Sequence, residues 1–527
     1  MKALFYDIDY LDSDFTIQHG YVLTDGAIIT YVGPDDPREF AGGPQGNGSR
    51  GSGADTPQGR SDGPHELASV EASGVSSPPM SPQGRSDGSH EVASGKVDPQ
   101  GVAPGEVYSR KLGAAGLCGT NAAQSDTALC DSLTDLSLFS GRGCLLIPGL
   151  YNQHTHIPMT LLRGYAEGLP LDAWLNTRVF PFEAQITPEA ALPASELAIA
   201  EMLRFGVVSF ADMYNFSEQR IRAVATSGIK ANISYGPVAF DPDTRYEDLP
   251  ACAEVTRLIS DYHESLDGRL RIDIFVHSEY LSNQHIVQAV GEQAFQAGVG
   301  THIHLSETER EHQEGKQRRG GLTPCAYFDS LGFFRAPCTA AHCVWTEPDD
   351  WQIMASRGVS AVLVPASNAK LGSGFAPVTE MLTAGVNVTL GTDGVASNNN
   401  HNLFKEIYLT ALLAKGLNKN PLLVSPTEVL SAATIGGARA QGRRDAGRIE
   451  VGARADLVVL DVDQPWMQPA YDQRYNLVYS AQGSDVILTM VDGEVLYSNG
   501  EWTTIDVSRA AYQTRQATGK ILAALDS

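Results

Sequence analysis

The chain has 527 residues, 42% of them hydrophobic, and sets 62 acidic side chains against 38 basic ones for a formal charge of −24. That length exceeds one small domain and supports a large buried core plus an accessory domain. Such an acidic surface repels phosphate backbones and anionic lipid, which argues against nucleic-acid and membrane partners.

The N-terminus, Met1-Lys2-Ala3-Leu4-Phe5-Tyr6-Asp7, lacks a signal-peptide core, and no apolar run approaches the roughly 18–20 residues that span a bilayer. Seven cysteines, an odd number without a C-x-x-C, read as free thiols in a reducing cytosol. A cytoplasmic protein is the expectation. Tyr21 through Val32 is β-branched and aromatic around Asp25-Gly26, the signature of a hairpin. Residues 41–120 are rich in Gly, Pro and Ser, with Tyr108 the only aromatic. Within them Pro57-Gln58-Gly59-Arg60-Ser61-Asp62-Gly63 returns as Pro82-Gln83-Gly84-Arg85-Ser86-Asp87-Gly88. So polar a stretch cannot bury enough apolar area to offset its ordering entropy, and two copies are too few for a solenoid. It is expected to be a disordered insertion grown by duplication.

Next comes a long alternation of short apolar runs and helical patterns. The runs end near His154/His156, Asp212, Tyr235, His277, His304/Glu307, His342, Ser367 and Asp393. Thr187-Pro188-Glu189 opens one helix and Gly206 closes it; residues 282–298 repeat that logic. Eight such units predict an α/β fold with a (β/α)8 TIM-like barrel, whose catalytic residues sit at the C-terminal strand ends. Near the C-terminus, Ala455 through Leu460 reads as a strand, and Val486 through Tyr497 as a hairpin around Asp492-Gly493. Neither end closes a core alone, so both termini are expected to build one small β-sandwich domain. The expected division is 1–38 and 441–527 for that domain, the latter including a terminal helix, 39–140 for the insertion, and 141–440 for the barrel.

The chemistry concentrates in Pro148-Gly149-Leu150-Tyr151-Asn152-Gln153-His154-Thr155-His156. Two histidines two apart at a strand end leave the same face, so one metal can take both. His304 ends another strand with Glu307 three residues on, His342 ends the next, and Asp393 ends the eighth. Three imidazoles and one carboxylate suit one zinc ion, with iron(II) as the near competitor. Glu307 is then the candidate proton shuttle, and His342 could hydrogen-bond the attacking water or a developing oxyanion. His302 lies on the same strand face as His304; the spacing to Glu307 favours His304.

The opening just quoted, His304-Leu305-Ser306-Glu307, Ala341-His342-Cys343 and Gly391-Thr392-Asp393-Gly394 together resemble the amidohydrolase superfamily. Within it the chain is most similar to the branch holding S-adenosylhomocysteine/5′-methylthioadenosine deaminases and triazine chlorohydrolases. Leu169-Pro170-Leu171-Asp172-Ala173-Trp174-Leu175, Pro365-Ala366-Ser367-Asn368-Ala369-Lys370 and Ala396-Ser397-Asn398-Asn399-Asn400 look like the deaminase versions of their motifs. The resemblance implies His154, His156, His304 and Asp393 as metal ligands, with Glu307, His342 and Asp393 as the catalytic set. It implies Glu183 at the ribose hydroxyls, and His277, Glu307 and Trp174 as further substrate contacts. A second metal is disfavoured, because relatives with two metals commonly bridge them with a fourth-strand lysine and residues 270–280 contain none.

The chain also departs from the pattern. Tyr235 stands where the deaminases commonly carry an arginine that meets a substrate carboxylate; either Arg245 takes over or a nucleoside without an amino-acid tail is preferred. The resulting expectation is a metal-dependent deaminase acting on the 6-amino group of adenosine, 5′-deoxyadenosine, 5′-methylthioadenosine or S-adenosylhomocysteine. The alternatives are a related enzyme acting on guanine, cytosine or a triazine, and a scaffold on the same fold. The scaffold reading is weakened by the complete ligand set. The sequence is compatible with a homo-oligomer. Deleting residues 42–119 is expected to leave folding and turnover close to parental, because loop entropy varies weakly with length. A large loss of rate in a folded deletion variant, measured by steady-state kinetics, would contradict this.

Overall fold

A computed structural model describes residues 1–40, 136–239, 241 and 243–526. The N-terminal segment forms β1 (Lys2–Leu11), β2 (Ile17–Asp25) and β3 (Ile28–Gly33), followed by β4 (Leu136–Ser140) and β5 (Cys144–Pro148). Of the expected disordered insertion, 39–140, residues 41–135 lie outside the described residues, and residues 39 and 40 end a short helix, Pro37–Phe40. Leu136–Ser140, grouped with it by sequence, instead pairs parallel with β1, and Phe139 stacks on Phe5. Phe139 packs against the core while Leu138 is exposed, so the five-residue strand carries too short a signal to stand out beside the low-complexity run.

The barrel comprises β6 (Leu150–Thr155), β7 (Val207–Met213), β8 (Lys230–Tyr235), β9 (Leu270–Phe275), β10 (Thr301–Leu305), β11 (Cys338–His342), β12 (Ser360–Leu363) and β13 (Asn387–Leu390). These eight strands pair in parallel, in chain order, as the alternation predicted. Nearly every residue in them is buried, because helices cover the outside and side chains fill the inside. β13 returns beside β6, where Asp393 N–H donates to the His154 carbonyl at 2.9 Å. Gly391 permits that approach: a Cβ there would lie 2.8 Å from His154 N.

The chain then supplies β14 (Leu457–Asp461), β15 (Val486–Val491), β16 (Glu494–Ser498) and β17 (Glu501–Trp502). β14 pairs antiparallel with β5, joining both termini in one nine-stranded sheet. Its core includes Phe5, Ile8, Leu146, Val459 and Met490. Buried Lys230 anchors this sheet to the barrel, 2.6 Å from Asp456 and 2.8 Å from Asp492. The helix Val507–Leu525 packs on the barrel helix Pro188–Arg204, with Arg509 2.9 Å from Glu196, although sequence order groups it with the β domain. Among the described residues no helix is long and apolar enough to cross a membrane.

Candidate functional site

The C-terminal ends of the barrel strands converge on His154, His156 and His304, whose ring nitrogens lie within 4.8 Å of one another. Asp393 Oδ1 is 3.2 Å from His156 Nε2 and 3.5 Å from His154 Nε2; His304 Nε2 is 3.5 Å from His156 Nε2. Ligand atoms held about 2.0–2.1 Å from a tetrahedral zinc lie roughly 3.3 Å from each other, so this set fits a metal ion. The chemistry of the donors agrees. His156 Nδ1–H donates to the Met213 carbonyl at 2.5 Å and His304 Nδ1–H to the His277 carbonyl at 2.9 Å, which turns both Nε2 atoms toward the cluster. Against its burial, the Asp393 carboxylate beside it pushes His156 up to about 9, so a metal ion would displace a proton from its Nε2. His154 Nε2 is buried with no hydrogen-bond partner. Burial, reinforced by neighbouring histidines, holds His154 and His304 well below the ordinary imidazole range, and the neutral form is the one that binds metal. Burial alone would raise Asp393, but His156 holds it well below the usual carboxylate range.

His302 occupies a different place. Its Nε2 lies 2.9 Å from His154 Nδ1, so it orients a cluster member from below. Asp393 is fixed through its second oxygen, which accepts from Ser367 Oγ at 2.6 Å and Ser397 Oγ at 2.9 Å. His342 (φ +71°) and Asp393 (φ +58°) both hold left-handed backbone at their strand ends, the kind of local strain that clusters at functional sites.

Glu307 is buried beside this cluster, 3.7 Å from His342 Nε2, with Ser373 Oγ at 3.5 Å. Burial raises its proton affinity, partly offset by His342. His342 Nδ1–H donates to Asn368 Oδ1 at 2.9 Å, which turns Nε2 toward Glu307.

A cavity of about 580 Å³ opens over these groups, a size ordinary for small-molecule sites. His277, Trp174 and Glu183 all line it. Residues 171–183 form a continuous helical run that loosens to a π-turn over Leu175–Val179 and so turns both Trp174 and Glu183 inward. Trp174 is buried and its Nε1 has no protein partner. Glu183 accepts from Tyr214 OH at 2.5 Å, and burial raises its proton affinity. Burial also lowers His277 to about 4, so it is neutral. Arg245 does not join them. It is exposed on the loop before Tyr246–Asp248 and pairs with Glu247 at 3.5 Å. The described lining contains no lysine or arginine, and Leu171, Leu175, Tyr235, Val238, Leu249 and Phe275 make much of its wall.

The sequence reading missed two supports. Buried Glu406 accepts from Ala366 N–H at 3.0 Å and Asn398 Nδ2 at 2.8 Å, tying together the segments that carry Ser367 and Ser397. An acid on the apolar stripe of Leu403, Phe404 and Ile407 was the available signal. Asp212, paired with Arg220 at 2.9 Å, accepts Ile157 N–H at 2.7 Å and so braces the turn after His156.

Residues 145–496 match the Amidohydrolase family model. A 5-methylthioadenosine/S-adenosylhomocysteine deaminase from Acetivibrio thermocellus is 39% identical over 396 residues, covering 74% of this chain and 91% of its own. A 5′-deoxyadenosine deaminase from Methanosarcina acetivorans is 40% identical over 388 residues, covering 73% and 89%. Among solved structures, an adenosine deaminase from Xanthomonas campestris with bound zinc aligns with a TM-score of 0.70 at 33% identity, over 73% of this chain and 88% of that one. An atrazine chlorohydrolase from Arthrobacter aurescens, complexed with zinc, aligns over 98% of this chain and 100% of that one, with a TM-score of 0.74; at 20% identity this is a likeness of fold.

If His302 orients His154, His302→Leu should weaken metal affinity by roughly 10–100-fold while the chain stays folded. Competition with a zinc chelator measures this; parental affinity would show that the contact does not matter.

Proposed function

We propose that this chain, which belongs to the amidohydrolase family, is a metal-dependent hydrolytic deaminase that releases the 6-amino group of an adenine nucleoside as ammonia. One observation carries the reading: the apolar cavity reaches His156, His304 and Asp393, which cluster with buried His154 as a metal-sized donor set, beside a buried acid of raised proton affinity. The deaminase names of relatives about 39% identical support the substrate class.

His154, His156, His304 and Asp393 would hold one zinc ion, with iron(II) as the competitor for the same donors. When bound, the metal supplies Lewis acidity that lowers the pKa of a water molecule towards ~7. The remaining work falls to side chains. Glu307 takes a proton from the attacking water and hands it to the purine ring nitrogen next to C6; it then moves the proton left on the newly added oxygen to the amino group, and the C6–N bond breaks to release ammonia as the C6 carbonyl forms. Its raised proton affinity suits both directions of transfer. His342, its Nδ1–H committed to Asn368, presents Nε2 as an acceptor that orients the water. Asp393 completes the catalytic set, its position held by Ser367 and Ser397. Glu183, steadied by Tyr214, accepts from ribose hydroxyls; neutral His277 and the Trp174 Nε1–H contact the base and sugar.

The absence of a basic side chain from the described lining selects among nucleosides. A 5′ substituent carrying an amino-acid carboxylate would find no basic counter-charge in the described lining. A panel of adenosine, 5′-deoxyadenosine, 5′-methylthioadenosine, S-adenosylhomocysteine, guanine and cytosine, followed by absorbance and ammonia release, tests both points. Turnover of the uncharged nucleosides should exceed that of S-adenosylhomocysteine in kcat/KM by roughly tenfold or more. Turnover of guanine or cytosine with none of any adenosine would overturn the substrate reading.

Glu307→Gln keeps the shape of the acid but removes its proton transfer. Turnover should fall roughly a hundredfold or more, with zinc content and KM close to parental. Parental turnover in this variant, with Glu309→Gln inactive, would move the role two residues along.

A further inference from the structure

The helix Glu309–Arg318 starts just beyond β10, and its N-cap Thr308 accepts Glu311 N–H at 3.1 Å. In a capping box the third helical residue reaches back to the N–H of the cap itself. Glu311 reaches further. Its Oε1 accepts Ser306 N–H at 3.1 Å and its Oε2 accepts Glu307 N–H at 2.7 Å. Those two amides belong to the turn that carries Glu307 out of the barrel.

That turn is strained and fully held. Ser306 has a φ of +49°, left-handed backbone that a non-glycine residue adopts at a cost. Its carbonyl accepts from Trp345 N–H at 3.0 Å. His312 Nε2 is 3.0 Å from Glu347; a carboxylate only accepts, so Nε2 carries the hydrogen and Nδ1 accepts from Ser306 Oγ at 3.1 Å. The Glu307 carboxyl, in contrast, has little of its own to hold it: Ser373 Oγ at 3.5 Å and His342 Nε2 at 3.7 Å. Its position therefore comes from its backbone. Glu311 is buried and belongs neither to the cavity lining nor to the histidine cluster.

We propose that Glu311 is a positioning residue for Glu307: its carboxylate, bound to two consecutive backbone amides, fixes the turn from which Glu307 meets the reacting atoms. The inference rests on the deaminase reading for the role of Glu307, and on hydrogen bonds within the chain for the role of Glu311.

The test compares Glu311→Ala, Glu311→Gln, Glu307→Gln and the two double variants as zinc-loaded, full-length enzyme, on whichever compound of the panel is turned over best. Glu311→Ala should lower kcat roughly ten- to a hundredfold, the scale of a misplacement near 1 Å. KM and zinc content should stay within about twofold of parental, because Glu311 touches neither substrate nor metal. Glu311→Gln keeps one acceptor oxygen and should fall between. On the Glu307→Gln background, either substitution should cost less than about twofold more, since a group acting only through Glu307 has nothing left to position. A fully additive loss, a fall in zinc content parallel to kcat, or parental kcat overturns the proposal. If Glu311→Ala does not fold, Glu311→Gln carries the same comparison. A best substrate other than an adenine nucleoside refutes the substrate reading while this comparison still decides the role of Glu311; parental kcat in Glu307→Gln refutes the role given to Glu307, and this inference with it.

Discussion

Three imidazole nitrogens lie within 4.8 Å of one another in a buried pocket, and Asp393 Oδ1 stands 3.2 and 3.5 Å from two of them. Groups so arranged would ordinarily be soaked in water or paired with donors, because a buried acceptor without a partner costs about 1–3 kcal/mol. Here the neighbourhood removes the alternatives. The Met213 and His277 carbonyls occupy the far nitrogens of His156 and His304, His302 occupies that of His154, and two serines and the Gly394 amide occupy Asp393. Those partners come from within β10, from the end of β7, and from the segments that follow β9, β12 and β13. Closure of the barrel thus brings the donors together and also orients them, and the cavity inherits its floor from that constraint.

The fold was legible because its signals are local and repeated. The Asp25-Gly26 and Asp492-Gly493 turns, the cap at Thr187 and the glycine at 298 each mark an element end without tertiary information. The helix pairing of Val507–Leu525 with Pro188–Arg204 was not legible, since it joins segments about 300 residues apart and depends on which barrel face is left open. β4 was hidden by its neighbours' composition.

The site was legible to the level of strand ends and faces, and no finer. Alternation places His302 and His304 on one face of β10, but their depth along the barrel axis decides which nitrogen meets His156 and which meets His154 from below. Arg245 shows the opposite limit: in a loop, residue type says nothing about direction, and its guanidinium turned out to face solvent and Glu247. Glu311 was visible as the fourth residue of a Thr-x-x-Glu helix start, but the pattern does not tell how far back its carboxylate reaches.

The buried acids show why residue type alone cannot assign a role here. Glu183, Glu307, Glu311 and Glu406 all have proton affinities raised by burial. What separates them is the partner of each oxygen. Glu311 and Glu406 spend both oxygens on amides of neighbouring segments, so their carboxyls are structural ties with nothing left to offer a substrate. Glu183 commits one oxygen to a phenol and keeps the other at the cavity. Glu307 has two long contacts, Ser373 Oγ at 3.5 Å and His342 Nε2 at 3.7 Å, and so keeps the capacity that the proposed proton transfer needs. A free carboxyl at that depth would drift among rotamers if its backbone were loose. On the proposed reading, the rigidity that proton transfer requires would be placed one step back, in the turn that Glu311 ties, with the Glu307 carboxyl left largely free.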